Sequence, residues 1–278
     1  MRKFSSIVIF TLSVYFLQAQ VLRKPIAAAG VGLGAYSSTY MDAFSFTANQ
    51  ASLARFNSVA IAVYGEKRFM LNELALYNLA FAIPTHSGNF GFKMSYFGFS
   101  QYNETQASLA YGRKLGEKID VGIQFNYNSI KVAGYGNAFA ISAEAGAILH
   151  LTDKLNFGIQ INNPAGGKYN KGENEKLPFI YSAGLGYEAS SQFFISGEIQ
   201  KEEDQPVNVN AGLQYKFLPQ ILAKAGVATA TSSYWLGLGI MIKELRVDAI
   251  AGYHPQLGIT PGLMLIYNFK TMASREDK

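Results

Sequence analysis

The 278-residue chain has no cysteine. That excludes a disulfide framework and any thiolate metal site. Charge is also scarce, at 15% of residues, with 24 basic against 19 acidic side chains. Losing Arg2 and Lys3 with a leader leaves 22 against 19, and no basic stripe is visible, so nucleic acid is not an expected partner. There are three histidines, His86, His150 and His254, and no two have the i, i+4 spacing of a helical metal site. Beyond the first twenty residues no apolar run approaches the ~20 residues that a membrane helix needs.

What is abundant is aromatic and small: 14% Phe, Trp and Tyr, with 27 glycines. Residues 119–129 alternate strictly. Ile119, Val121, Ile123, Phe125 and Tyr127 fall on one side, and Asp120, Gly122, Gln124, Asn126 and Asn128 on the other. Successive side chains of a strand point to opposite faces, so one face seeks lipid or a core and the other water or polar packing. The pattern recurs from Asn57 to Phe269, with strand centres near 61, 78, 94, 109, 124, 144, 159, 183, 196, 211, 224, 238, 249 and 264. An even count of short alternating strands is the signature of a transmembrane antiparallel β-barrel. A soluble β-sandwich would alternate in the same way. The N-terminus and the aromatics at strand ends, such as Tyr96, Phe99, Tyr215, Phe217 and Trp235, argue for the membrane.

The expected organisation has four parts. Residues 1–19 read as an export signal, with Arg2 and Lys3 before an apolar stretch, Ile7 to Phe16, and a cleavage site before Gln20. Residues 20–55 are an N-terminal plug, 56–270 the barrel, and 271–278 a periplasmic tail. The bacterial outer membrane is the expected location. The even-to-odd connections, such as Thr152-Asp153-Lys154 and Lys243-Glu244, should be tight periplasmic turns. The longest connection, Asn163 to Leu177, falls in the opposite set, whose loops should be longer.

Inward faces carry Gly91, Gly122, Gly146, Gly158, Gly184, Gly212, Gly226 and Gly252. Glycine weakens a strand unless another group must approach closely, so the lumen is occupied or narrow, or else glycine eases coiling. Inward Lys93, Lys114, Lys216, Lys224 and Arg246 balance Asp120, Glu144, Glu188, Glu198 and Asp248, as cross-lumen ion pairs or as solvated charges. Ser142, Glu144 and His150 share an inward face, but Ser142 and His150 lie ~26 Å apart along a strand, too far for a nucleophile–base pair. Gly30-Val31-Gly32-Leu33-Gly34-Ala35 matches a dinucleotide fingerprint without its βαβ unit or acidic partner. No enzyme and no cofactor are expected.

Three segments resemble a known group. Gly34-Ala35-Tyr36, Asp42-Ala43-Phe44 and Asn49-Gln50-Ala51-Ser52-Leu53-Ala54 are similar to the N-terminal region of FadL-type outer-membrane barrels, shared by the PorV and PorQ proteins of the type IX secretion pathway. Gln50 stands where the group has proline. Tyr253-His254-Pro255-Gln256-Leu257-Gly258 looks like a final-hairpin motif of the PorV/PorQ side, and Leu155 to Ile159 after Leu151 to Lys154 is also typical. The resemblance implies about fourteen strands and a small N-terminal hatch. It also implies partners: membrane lipid, and other outer-membrane or periplasmic proteins. The expected role is an accessory barrel of an outer-membrane machine. The alternative is a FadL-like channel for small hydrophobic molecules, lined by Phe44, Phe46, Phe97, Trp235 and Met264, with inward packing as the plainer role of those residues. Asp42 and Asn49, in a stretch too polar for lipid, are expected to fasten the hatch by bonding backbone amides or capping a short helix. Arg246 or Lys224 would pair with Asp42. A solvated, loose N-terminus is the other reading.

Overall fold

The computed structural model describes residues 30–170, 176–203 and 205–269. The expected export signal, residues 20–29 and the tail lie outside them. Among the described residues fourteen strands form one closed antiparallel barrel: β1 (Ala60–Lys67), β2 (Ala75–Thr85), β3 (Gly88–Gly98), β4 (Tyr102–Leu115), β5 (Ile119–Val132), β6 (Gly136–His150), β7 (Leu155–Asn162), β8 (Ile180–Glu188), β9 (Phe193–Glu202), β10 (Asn208–Leu218), β11 (Ile221–Ala228), β12 (Ser233–Ile242), β13 (Leu245–His254) and β14 (Gly258–Asn268). Every expected strand centre falls inside its strand. β1 pairs with both β2 and β14, Val63 facing Leu79 on one side and Leu265 on the other, so the sheet closes on itself. Closure is what a bilayer demands, because an unpaired backbone group has no water there.

The pleat sorts the side chains as the alternation requires. Leu236, Leu238, Leu109 and Phe125 project outward and exposed, while Asp120, Gln124 and Asn126 are buried inside. Such a continuous apolar outer surface is far larger than a soluble protein carries, and it places the barrel in the outer membrane. Aromatic pairs gather near the strand ends: Tyr215 with Phe217 and Tyr267 with Phe269 at one rim, Tyr127 with Phe139 at the other. Leu213 faces outward and Gln214 inward. Leu213→Arg should therefore cost about 2–4 kcal/mol at mid-membrane, read as a lower unfolding midpoint in detergent-to-urea titration. The register is wrong by one residue if the substitution is silent. Gln214→Arg, mild in a wet lumen, is expected to be costly too, because Gln214 is buried directly across from Lys224.

The tight even-to-odd turns stand where expected, with two-residue links at 86–87, 219–220 and 243–244. The opposite set is shorter than expected: 99–101, 133–135 and 255–257 are also tight, and only 163–179 is long. That long connection has a structural reason. β5 and β6, of 14 and 15 residues, overrun the 8-residue β7, leaving the edge of β6 without a strand. The connection supplies substitutes. Asn163 N donates to Ala143 O at 2.8 Å, Asn170 N donates to Phe139 O at 2.9 Å, and Asn170 Oδ1 accepts from Phe139 N at 2.8 Å. Backbone groups at this height keep their partners.

Candidate functional site

The lumen is chemically two-sided. The inner faces of β12 to β3 are mostly apolar, with Ala62, Tyr64, Leu76, Phe97, Ile250, Met264 and Ile266 buried there. Those of β4 to β10 are mostly amide and hydroxyl, including Ser108, Gln124, Asn126, Ser142, Gln160, Ser182 and Asn210. Residues 30–56 lie between these walls as three short 3-10 turns, Leu33–Tyr36, Ser45–Thr47 and Gln50–Arg55. Tyr36, Phe44, Phe46, Asn49, Gln50 and Leu53 are fully buried.

Close approach explains the inward glycines. A Cβ on Gly184 would stand 2.0 Å from the Tyr36 ring, and one on Gly122 would stand 2.4 Å from the Gln50 backbone. Any side chain there would collide with the hatch. Gly252 is the exception among the eight expected positions, since its nearest neighbour is Thr260 at 3.5 Å.

Asp42 and Asn49 each make one local and one distant bond. Asp42 Oδ1 accepts from Phe44 N at 3.0 Å, and Oδ2 accepts from Arg246 Nη2 on β13 at 2.8 Å. Asn49 Oδ1 accepts from Ala51 N at 3.0 Å, capping the Gln50–Arg55 turn, while Nδ2 donates to Ile159 O on β7 at 3.1 Å. Asn49→Ala removes both bonds and should cost about 1 kcal/mol for the cap alone. The expected readout is faster proteolysis of the segment in the intact barrel. An unchanged cleavage rate would remove Asn49 from the fastening.

The charges are arranged differently from five cross-lumen pairs. Lys114 is exposed at the rim. On the wall, Lys224 Nζ lies 2.9 Å from Asp248 Oδ2, and Arg246 Nε lies 3.1 Å from Asp248 Oδ1. Both are ion contacts without good hydrogen-bond alignment; the first joins β11 to β13 on one side of the lumen, and the second lies within β13. The remaining wall acids turn to the hatch. Glu144 Oε2 accepts from Gln50 Nε2 at 2.6 Å, and Oε1 accepts from Asn126 at 2.8 Å. Glu198 Oε2 accepts from Tyr36 Oη at 3.0 Å. Glu188 accepts from Ser37 Oγ and from the amides of Ser38 and Thr39, and Asp120 binds Arg55 at 2.7 Å and His150 at 2.6 Å. The physical reason is that a filled bore brings donors from the hatch closer than any cation across it. Gln50 and Tyr36 make the hatch contacts to these wall acids, a role that their places in the family-like segments did not foretell. Their signal was a long polar or aromatic side chain in an otherwise small-residue segment.

Phe44, Phe46, Phe97 and Met264 meet in one buried cluster with Tyr64, Leu53 and Leu76. Trp235 does not join it, but packs with Leu33, Tyr40 and Phe194. Behind the first cluster, on the lipid side, a groove of about 370 Å³ is lined by Val63, Gly65, Tyr77, Leu79, Met94 and Tyr96, with Tyr64 reaching into both. The ladder of β1 with β2 and β14 is unbroken there, so the groove is a feature of the outer surface and not a hole. Ser142 and His150 engage different partners. Asn128 Nδ2 donates to Ser142 Oγ at 3.2 Å, whereas His150 contacts Asp120 and Asn156.

No protein-family model and no curated protein sequence matches the chain. Solved barrels do match in shape. The P. putida toluene transporter TodX superposes with a TM-score of 0.63 at 10% identity, over 90% of this chain and 99% of that one. A Pseudomonas aeruginosa FadL homologue gives 0.61 at 12% identity, over 91% and 100%. A deltaS2 mutant of the TodX monoaromatic hydrocarbon channel gives 0.62 at 11%, over 86% and 99%. At such identities the likeness is one of fold alone, that of a closed outer-membrane barrel.

Proposed function

We propose that the protein is a non-enzymatic outer-membrane channel for small hydrophobic molecules, described here with its hatch shut. One observation carries the reading. Hatch residues Phe44 and Phe46 join the apolar half-wall at Phe97 and Met264, and a single layer of wall, at Tyr64, separates that cluster from an apolar groove on the lipid face. A hydrophobic molecule released by hatch movement would meet an apolar half-wall whose lipid side carries an apolar groove. Likeness of fold to TodX, a toluene transporter, and to a FadL homologue supports the same substrate class. The test is uptake of labelled toluene by cells lacking the gene. Uptake should fall several-fold and return with the wild-type gene, but not with Phe46→Asp, which puts an unpaired charge in the cluster. Equal uptake with and without the gene would defeat the reading.

A second reading is favoured by the closed lumen and the short connections. In it the protein is an accessory barrel docked on a larger outer-membrane machine, as the PorV/PorQ resemblance suggests for type IX secretion. The connection 163–179 and the hatch side would offer the surfaces. Purification from native membranes in gentle detergent decides it, since a barrel that elutes alone has no such partner.

A further inference from the structure

We infer that the amide-rich wall above the hatch selects the polar end of the transported molecule, and that the preferred ligand is an apolar body bearing a neutral hydroxyl or amide, with carboxylates rejected. The inference rests on the channel reading and narrows its substrate class. Buried polar atoms are nearly always hydrogen-bonded, and each orphan costs free energy. Orphaned atoms occur at several places around the bore, and four successive strands each contribute at least one. Asn162 Oδ1 and Nδ2, Ser182 Oγ, Ser196 Oγ and Asn210 Nδ2 are buried without any partner, all from inward faces of β7 to β10. The pairing register gives two of them a charged neighbour: Asn162 lies directly across from Glu144, and Asn210 directly across from Glu198.

This juxtaposition specifies a chemistry. Asn162 can both donate and accept, the Ser182 and Ser196 hydroxyls likewise, and Asn210 has a donor to spare because Asn208 Nδ2 donates to its oxygen at 3.1 Å, so the set complements a group that does both, such as an alcohol or a primary amide. A carboxylate accepts only, and it would stand beside Glu144 and Glu198, which repel it. The wall cations that could offset this, Lys224 and Arg246, are already engaged by Asp248 and Asp42. Opposite this wall, across the hatch, lies the apolar cluster of Phe97 and Met264. The bore is thus built for a molecule with two unlike ends.

Trp235, the one tryptophan of the chain, sits on the lumen wall and reports binding by its emission. The full-length barrel in detergent would be titrated at pH 8 with toluene, benzyl alcohol and benzoate, which share a ring and differ at one substituent. Benzyl alcohol should bind about tenfold tighter than benzoate, and more tightly than toluene. In Asn162→Leu/Asn210→Leu, the ratio of benzyl alcohol to toluene affinity should fall to about one. Heat-modifiable gel mobility confirms that the variant barrel is folded. Benzoate binding as tightly as benzyl alcohol, or an unchanged alcohol-to-toluene ratio in the double variant, overturns the inference while saturable toluene binding keeps the channel reading. Absence of saturable binding by all three overturns both.

Discussion

Arg246→Ala should release the hatch. Arg246 is the contact that joins Asp42 of the hatch, at 2.8 Å, to Asp248 of the wall, at 3.1 Å. Removing it leaves the Asp42 carboxylate buried without its cation, and leaves Asp248 with Lys224 alone. Stripping one partner from a buried ion pair costs about 3–5 kcal/mol, because the surviving charge has lost its compensation. The expected result is rapid cleavage near Ser38 and Thr39, the exposed stretch of the hatch, in a barrel that still migrates as folded. Asp42→Asn in the Arg246→Ala background should add much less than it does alone, since both changes break one contact. Additive effects would mean that Asp42 and Arg246 stabilise the hatch independently.

A second large effect is expected from Gly184→Leu. An added Cβ would lie 2.0 Å from the Tyr36 ring, and the full side chain cannot be accommodated without moving it. Tyr36 donates to Glu198 and packs under Gly158 and Gly186, so the whole Leu33–Tyr36 turn must leave its seat. Overpacking of a close-packed interior costs about 1–3 kcal/mol, and displacing an aromatic side chain adds its lost burial. The measurement is hatch proteolysis against Gly116→Leu. Gly116 has a positive φ but open space around it, so that control strains a turn without touching the hatch. Equal protection of the hatch in both proteins would show that Tyr36 is not held where the glycines place it.

The barrel was legible in the sequence because lipid on one side and a polar bore on the other enforce a period of two. Residues 119–129 carry that period without interruption, and each expected strand centre lies in a strand. The pairing of Arg246 with Asp42 was expected, but the partners of Glu144 and Glu198 were not legible. Period two assigns Glu144 and Glu198 to the bore, but it cannot say that Gln50 and Tyr36 fill the bore and reach them first. The same limit hides that Gln214 is buried against Lys224 on the neighbouring strand. The overhang of β5 and β6 was invisible for another reason. Alternation marks where a strand exists, while the height of its neighbour decides how much of it is paired.

The glycine-lined seat of the hatch also constrains the order in which the protein assembles. Tyr36 stands so close to strands β7 and β8 that its ring fills space any other residue would occupy, and Asp42 reaches a partner 204 positions later in the chain. A segment gripped from opposite sides cannot be threaded through a bore already sealed. The β1–β14 seam joins the two extremes of the barrel sequence and carries the greatest loop-closure penalty of any pair, so it forms late. The hatch must therefore be seated on the growing inner wall before that seam zips. Removal of residues 30–56 is therefore expected to slow barrel closure as well as open the lumen, read as the rate at which heat-modifiable gel mobility appears during refolding into detergent.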